Sequence, residues 1–69
     1  MMDYMTFSRR ATAREEAALL RLRGWPDATA VQLYLPDSPD ARPNGMAWVV
    51  RVHVGNSDPT YMREDGLFR

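Results

Sequence analysis

The sequence predicts a small α+β domain in which one N-terminal helix packs on a three-stranded antiparallel sheet, in the order α-β-β-β. Apolar residues recur at helical spacing before Gly24 and at alternate positions after Trp25. Three alternating segments follow one another with short or moderate connections, which favours a meander. The length of 69 residues allows one hydrophobic core, so residues 1–69 are expected to form a single domain.

The predicted helix covers residues 12–23, with an alternative start near Arg9. Thr12 and Glu15 have the spacing of a capping box, in which each side chain accepts a hydrogen bond from a free amide of the first turn. The residues that follow are strong helix formers. Gly24 supplies a left-handed C-terminal stop.

A helical wheel divides this helix into three sides. The main apolar side, predicted to cover the sheet, contains Ala11, Ala18, Leu19 and Leu22. A weaker apolar strip contains Ala13, Ala17 and Leu20. A basic stripe contains Arg10, Arg14 and Arg21. Residues 8–24 carry five arginines and two glutamates on a chain of zero net charge, so we expect the positive charge to concentrate on the helix.

Strands are predicted at 30–35, 46–54 and 60–63, with a long loop at 36–45 that is rich in proline and aspartate. Alternation assigns the helix-facing side of the sheet to Val31, Leu33, Leu35, Met46, Trp48, Val50, Val52, Val54 and Met62. The opposite face then carries Gln32, Tyr34, Arg51, His53, Tyr61 and Arg63. Residues 1–7 are either a flexible arm or a segment that packs through Tyr4 and Phe7.

The face away from the helix is the leading candidate surface. Its predicted partner-binding residues are Tyr34, Arg51, His53, Tyr61 and Arg63. Three interpretations are open. Such a face is often simply solvated. Tyrosine and arginine are also enriched at protein-binding hot spots. Aromatic rings beside guanidinium groups can in addition bind single-stranded nucleic acid.

Two further regions are secondary binding candidates. The basic stripe of Arg10, Arg14 and Arg21 either follows a phosphate backbone or is a solvated face that Glu15 and Glu16 partly neutralise. The tip of the long loop carries Asp37 and Asp40, and long ordered loops are often binding elements.

The composition argues against enzymatic and metal chemistry. The absence of cysteine excludes disulfides, thiolate metal sites and cysteine nucleophiles. His53 is the only histidine, and no residues around it form a recognisable catalytic or metal-ligand set. We therefore predict no catalytic, cofactor-binding or metal-ligating residue. No apolar run reaches the ~18 residues of a membrane span, so the expected location is the cytoplasm.

The expected function is that of a non-enzymatic protein-binding module, acting as an inhibitor, adaptor or regulatory subunit. Accessory proteins of phages and mobile elements, including inhibitors of host defence, often have this profile. The alternative is a small RNA- or DNA-binding regulator that uses the basic helix or the open face. A homodimer is also predicted, because the strip around Leu20 has no expected cover and one sheet edge is unpaired.

Overall fold

The computed structural model describes residues 4–53 and 59–64. Helix α1 spans Arg10–Leu22, and strands β1, β2 and β3 span Thr29–Tyr34, Met46–His53 and Pro59–Tyr61. The three strands form one antiparallel sheet in the order β1-β2-β3. The α+β fold with the order α-β-β-β is therefore confirmed. Turns are also predicted at 55–59 and 64–66; Val54 and residues 55–58 and 65–66 of these turns lie outside the described residues.

Helix α1 begins two residues before the predicted start. Arg9 is the N-terminal cap, with extended backbone and no side-chain capping bond. Thr12 is an exposed residue of the first turn, so its prediction as the cap is wrong. Arg10 and Ala11 favour helix, and the helix therefore continues back through them. The predicted stop is confirmed, because Gly24 directly follows the helix with φ +105°.

The side of the helix that packs on the sheet is the weaker apolar strip of Ala13, Ala17 and Leu20. Ala13 and Ala17 are 0% and 1% exposed, and Leu20 is also buried. The predicted apolar side is wrong, since Leu19 and Leu22 are 45% and 85% exposed. Alanines let the helix backbone approach the large side chains of the sheet closely. This packing also removes one reason for expecting a homodimer, because the strip around Leu20 is covered within one chain.

Strand β2 presents the predicted side chains to the helix, whereas β1 presents the opposite set. As expected, Trp48, Val50, Val52 and Met62 face the helix. Directly opposed residues of antiparallel strands lie on one face, and Val31 and Leu33 oppose Val49 and Ala47 on the face away from the helix. Their assignment to the helix side is wrong, as is that of Leu35, which alternates with them. Gln32 and Tyr34 oppose Trp48 and Met46, so they belong to the helix side.

The long loop folds back onto the N-terminal segment. The Thr6 hydroxyl donates to the Asp40 carboxylate at 2.6 Å, and the Ser38 hydroxyl donates to Thr6 Oγ1 at 2.9 Å. Ser38 is buried, and its Oγ also accepts from the Asp40 amide at 3.1 Å. Asp40 is therefore a structural residue of the loop, whereas Asp37 is exposed.

The N-terminal segment is part of the sheet from Tyr4 onward. Phe7 and Trp48 exchange two backbone hydrogen bonds of 2.8 and 3.1 Å, and Phe7 is buried in the core. Tyr4 forms a bridge with Arg63. For the described part of this segment, packing through Tyr4 and Phe7 is confirmed. Ala47 and Val49 are buried although they lie on the face away from the helix.

Gly45 provides a test of the end of this loop. Its φ is +82°, and a Cβ built there would lie 2.5 Å from Cε1 of Tyr34. We expect Gly45→Ala to lower the free energy of unfolding by about 1–3 kcal/mol, from backbone strain and displacement of the Tyr34 ring. Gly24→Ala is the matched control, since Gly24 has positive φ but no atom within 4 Å. Equal losses in urea denaturation would show that the Tyr34 contact contributes nothing.

Candidate functional site

The predicted partner-binding residues do not all share one face. Arg51 opposes Tyr61 in the register of β2 and β3, and alternation places His53 and Arg63 on the same side. Tyr34 lies on the helix side of the sheet, with its ring against Gly45. Its assignment to the face away from the helix is therefore wrong.

Tyr4 takes the place that was predicted for Tyr34. Its ring centroid lies 5.8 Å from that of Tyr61 at an interplanar angle of 73°, an edge-to-face contact. The guanidinium of Arg63 lies 5.5 Å from the centroid of the Tyr4 ring, within the range of a cation–π interaction. We name this half-buried group, drawn from three segments, the tyrosine–arginine cluster: Tyr4, Arg51, Tyr61 and Arg63.

Arg51 of this cluster has no countercharge in the part of the chain that the structure describes. Among the described residues, no carboxylate lies within ion-pair distance of its guanidinium. Its Nε is buried without a hydrogen-bond partner in the same part of the chain. An arginine that no carboxylate of the described residues neutralises favours a partner that brings one.

His53 has a structural partner at the exposed end of β2. The Asp27 carboxylate accepts from the His53 amide at 2.8 Å and lies 3.1 Å from Nδ1 of the same residue. Both side chains are about two-fifths exposed, at 40% and 41%. The pair links the segment just before β1 to the end of β2. Within residues 4–53 and 59–64, no three metal-ligating side chains come together.

The basic stripe of the helix lines a groove beside β1. The groove has a volume of about 260 Å³, and we name it the arginine groove; its lining residues are Arg10, Arg14, Ala17, Arg21, Thr29 and Ala30. Arg10 lies over the Trp48 ring at 5.8 Å, and Arg21 Nη1 donates to the Ala28 carbonyl at 2.7 Å. None of the three arginines forms an ion pair with a carboxylate of the described chain.

Comparison with known proteins identifies no relative. The sequence matches no protein-family model, and no curated protein or solved structure is significantly similar to it. No helix of the described chain is long and apolar enough to cross a bilayer. The functional argument therefore depends on the geometry of the two basic surfaces, the tyrosine–arginine cluster and the arginine groove.

Proposed function

We propose that this protein is a non-enzymatic protein-binding module of the cytoplasm that acts as an inhibitor, adaptor or regulatory subunit. The observation that supports this proposal is the tyrosine–arginine cluster. Tyrosine and arginine are among the residues that contribute most to binding energy at protein interfaces. The cluster joins the N-terminal segment to β2 and β3, so its residues are positioned by the sheet.

The contacts within the cluster favour binding with a small entropic cost. The Tyr4 ring is held by Tyr61 on one side and by the Arg63 guanidinium on another. Ordering a flexible side chain on binding costs about 0.5–1.5 kcal/mol, and these contacts order the rings before a partner arrives. Arg51 adds a positive charge that lacks a carboxylate among the described residues. The expected partner therefore offers a carboxylate to Arg51 next to an apolar surface for the two rings.

The same contacts argue against single-stranded nucleic acid as the ligand. Base stacking needs ring faces that are open to solvent. One face of the Tyr4 ring is covered by Arg63, and the ring meets Tyr61 at 73° rather than forming a parallel platform. A stack of bases would have to displace both contacts, whereas a protein surface can pack around them.

The test compares two arginine pairs on one fold. The protein is immobilised, a partner is captured from extract of the source organism with and without nuclease treatment, and the identified partner is purified for calorimetry. We expect Arg51→Ala with Arg63→Ala to weaken binding by about a hundredfold or more, since truncating a hot-spot arginine costs about 2 kcal/mol or more. The matched pair Arg14→Ala with Arg21→Ala should change the affinity for this partner by less than about threefold.

Two results would contradict the proposed function. The first is a partner whose binding depends on Arg14 and Arg21 and is unaffected by the Arg51 and Arg63 changes. The second is capture that disappears after nuclease treatment together with an affinity that falls steeply with salt, because that dependence is typical of phosphate contacts. Far-ultraviolet circular dichroism of both double variants verifies that the fold is retained.

A further inference from the structure

Strand β1 has an outer edge that no described segment covers. It is the terminal strand in the order β1-β2-β3. Trp48 directs its backbone N–H and C=O toward Phe7, so by alternation its neighbours Ala47 and Val49 direct theirs toward β1. Val31 and Leu33, which oppose those neighbours, therefore bond to β2. The backbone groups that point outward belong to Ala30, Gln32 and Tyr34.

The sequence of this edge does not discourage strand pairing. Natural edge strands are commonly protected by lysine, proline, a bulge or an inward-pointing charge. Strand β1 has the sequence TAVQLY, which contains no charged residue and no proline. Its six residues are long enough to pair with a short extended segment. Among the described residues, no backbone hydrogen bond to another segment uses the outward groups of β1.

The arginine groove runs beside this edge on the helix side. Arg21 is held there by its bond to the Ala28 carbonyl, which lies just before β1. Arg10 and Arg21 are separated by about 16 Å along the helix axis, which corresponds to roughly five residues of extended chain. The groove contacts β1 at Thr29 and Ala30, so a strand added to β1 would have guanidinium groups on its helix side where it passes these residues.

Charge excludes a second copy of this chain as the favoured occupant. A two-fold axis perpendicular to the sheet would pair β1 with β1 of a second copy and place both helices on the same side. The two arginine grooves would then face each other, and like charges in such a position oppose association. The groove instead fits a segment that brings negative charge.

We propose that the outer edge of β1 and the arginine groove bind an extended acidic segment of another protein as a fourth strand of the sheet. Residues of that segment on the helix side carry carboxylates that meet Arg10, Arg14 and Arg21. Residues on the other side are apolar, because they come to lie beside the half-buried Val31 and Leu33. The recognised pattern alternates acidic and apolar residues, and main-chain bonds supply the register. This site is separate from the tyrosine–arginine cluster, so neither proposal depends on the other.

The probe is a synthetic peptide that alternates glutamate with valine over the length of β1. Binding is followed by amide exchange in nuclear magnetic resonance spectra of the whole protein. We expect the amides of Ala30, Gln32 and Tyr34 to become protected when the peptide is added. A peptide with lysine in place of glutamate should bind at least about tenfold more weakly, as expected when charge-assisted bonds are lost. A peptide N-methylated on its sheet-facing amides should lose affinity by at least about as much, because it cannot donate to the β1 carbonyls.

Matched protein variants distinguish binding by the arginine groove from attraction to any positive charge on the protein. Arg14→Gln with Arg21→Gln should weaken peptide binding by about tenfold or more. Arg9→Gln with Arg23→Gln removes the same charge from exposed positions outside the groove and should change binding by less than about twofold. Arg51→Ala with Arg63→Ala should also leave peptide binding unchanged, which distinguishes this site from the proposed protein-binding cluster.

Four results would overturn the fourth-strand proposal. In the first, the N-methylated peptide, or one with the glutamates grouped at one end, binds as well as the alternating peptide. In the second, the Arg9 and Arg23 variant loses as much affinity as the groove variant. In the third, a single-stranded oligonucleotide of equal charge binds more tightly and leaves the three edge amides unprotected. In the fourth, those amides become protected as protein concentration rises without peptide, which would assign the edge to a second copy.

Discussion

Replacing Leu20 by alanine should lower the free energy of unfolding by about 2–5 kcal/mol, the usual cost of emptying a buried leucine site. Leu20 is 8% exposed and belongs to the core cluster with Val50, Val52 and Met62. The loss would be a large fraction of the stability of so small a domain, since net stabilities are about 5–15 kcal/mol. Urea denaturation followed by tryptophan fluorescence measures it.

Leu22→Ala is the matched control on the same helix. Leu22 is 85% exposed, so its replacement removes little buried surface and should change stability by no more than about 0.5 kcal/mol. The two variants have the same chemistry and differ only in the side of the helix. A large loss for Leu22 together with a small one for Leu20 would mean that the helix is rotated on the sheet, with the side predicted from the sequence toward the core.

Replacing Val49 by threonine should lower the free energy of unfolding by about 1–3 kcal/mol, because the change places a hydroxyl in a site without water. Val49 is 0% exposed although it lies on the face away from the helix. We expect the loop and the N-terminal segment, which the bonds of Thr6 to Ser38 and Asp40 hold together, to cover this residue.

Val31→Thr is the control for Val49→Thr. Val31 directly opposes Val49 on the same face but is only half-buried, so a hydroxyl there keeps contact with solvent. Its expected cost is within about 0.5 kcal/mol. Equal and small costs at both positions would show that this face is solvated throughout and that the loop does not cover it.

The helix shows which features can be predicted from a helical sequence pattern and which cannot. The presence of the helix and its termination before Gly24 could be predicted, because helix propensity and the glycine stop depend on residues within the segment itself. The buried side could not be predicted by hydrophobicity alone, because Leu19 and Leu22 are more apolar than the alanines that pack on the sheet. The buried side of the helix depends on how closely the helix backbone can approach Trp48 and Val50. That distance is determined by the packing of the sheet and is not visible in the helix sequence.

The sheet faces show a second limit of periodicity. Strand β1 alternates clearly, but the pattern does not say against which residues of β2 it pairs. A shift of one residue moves every side chain to the other face. The register is set by two backbone hydrogen bonds of the loop. The Leu35 amide donates to the Gly45 carbonyl, and the Arg42 amide donates to the Met46 carbonyl, each at 2.9 Å. Tyr34 was assigned to the wrong face for this reason. The common face of Arg51, Tyr61 and Arg63 could be predicted, because the connection from β2 to β3 is short.

The role of Tyr4 depends on contacts between distant parts of the chain. The pairing of Tyr4 with Arg63 joins residues near opposite ends of the sequence, and no periodic pattern within the N-terminal segment indicates that partner. Its aromatic character made packing one of the two alternatives for this segment. The cluster as a surface could be recognised only when the sheet had placed Tyr61 and Arg63 beside it.

The fourth-strand proposal and the placement of Tyr34 outside the cluster both depend on the register of β1 against β2, which cross-strand Hα–Hα nuclear Overhauser effects measure directly. Residues opposed without mutual hydrogen bonds have Cα atoms about 4.5 Å apart and closely spaced Hα atoms. The structure predicts strong effects between Gln32 and Trp48 and between Ala30 and Val50. Strong effects from Val31 or Leu33 to Trp48 or Val50 would instead contradict it. They would return Tyr34 to the face of Arg51 and turn the Ala30 and Gln32 backbone groups toward β2.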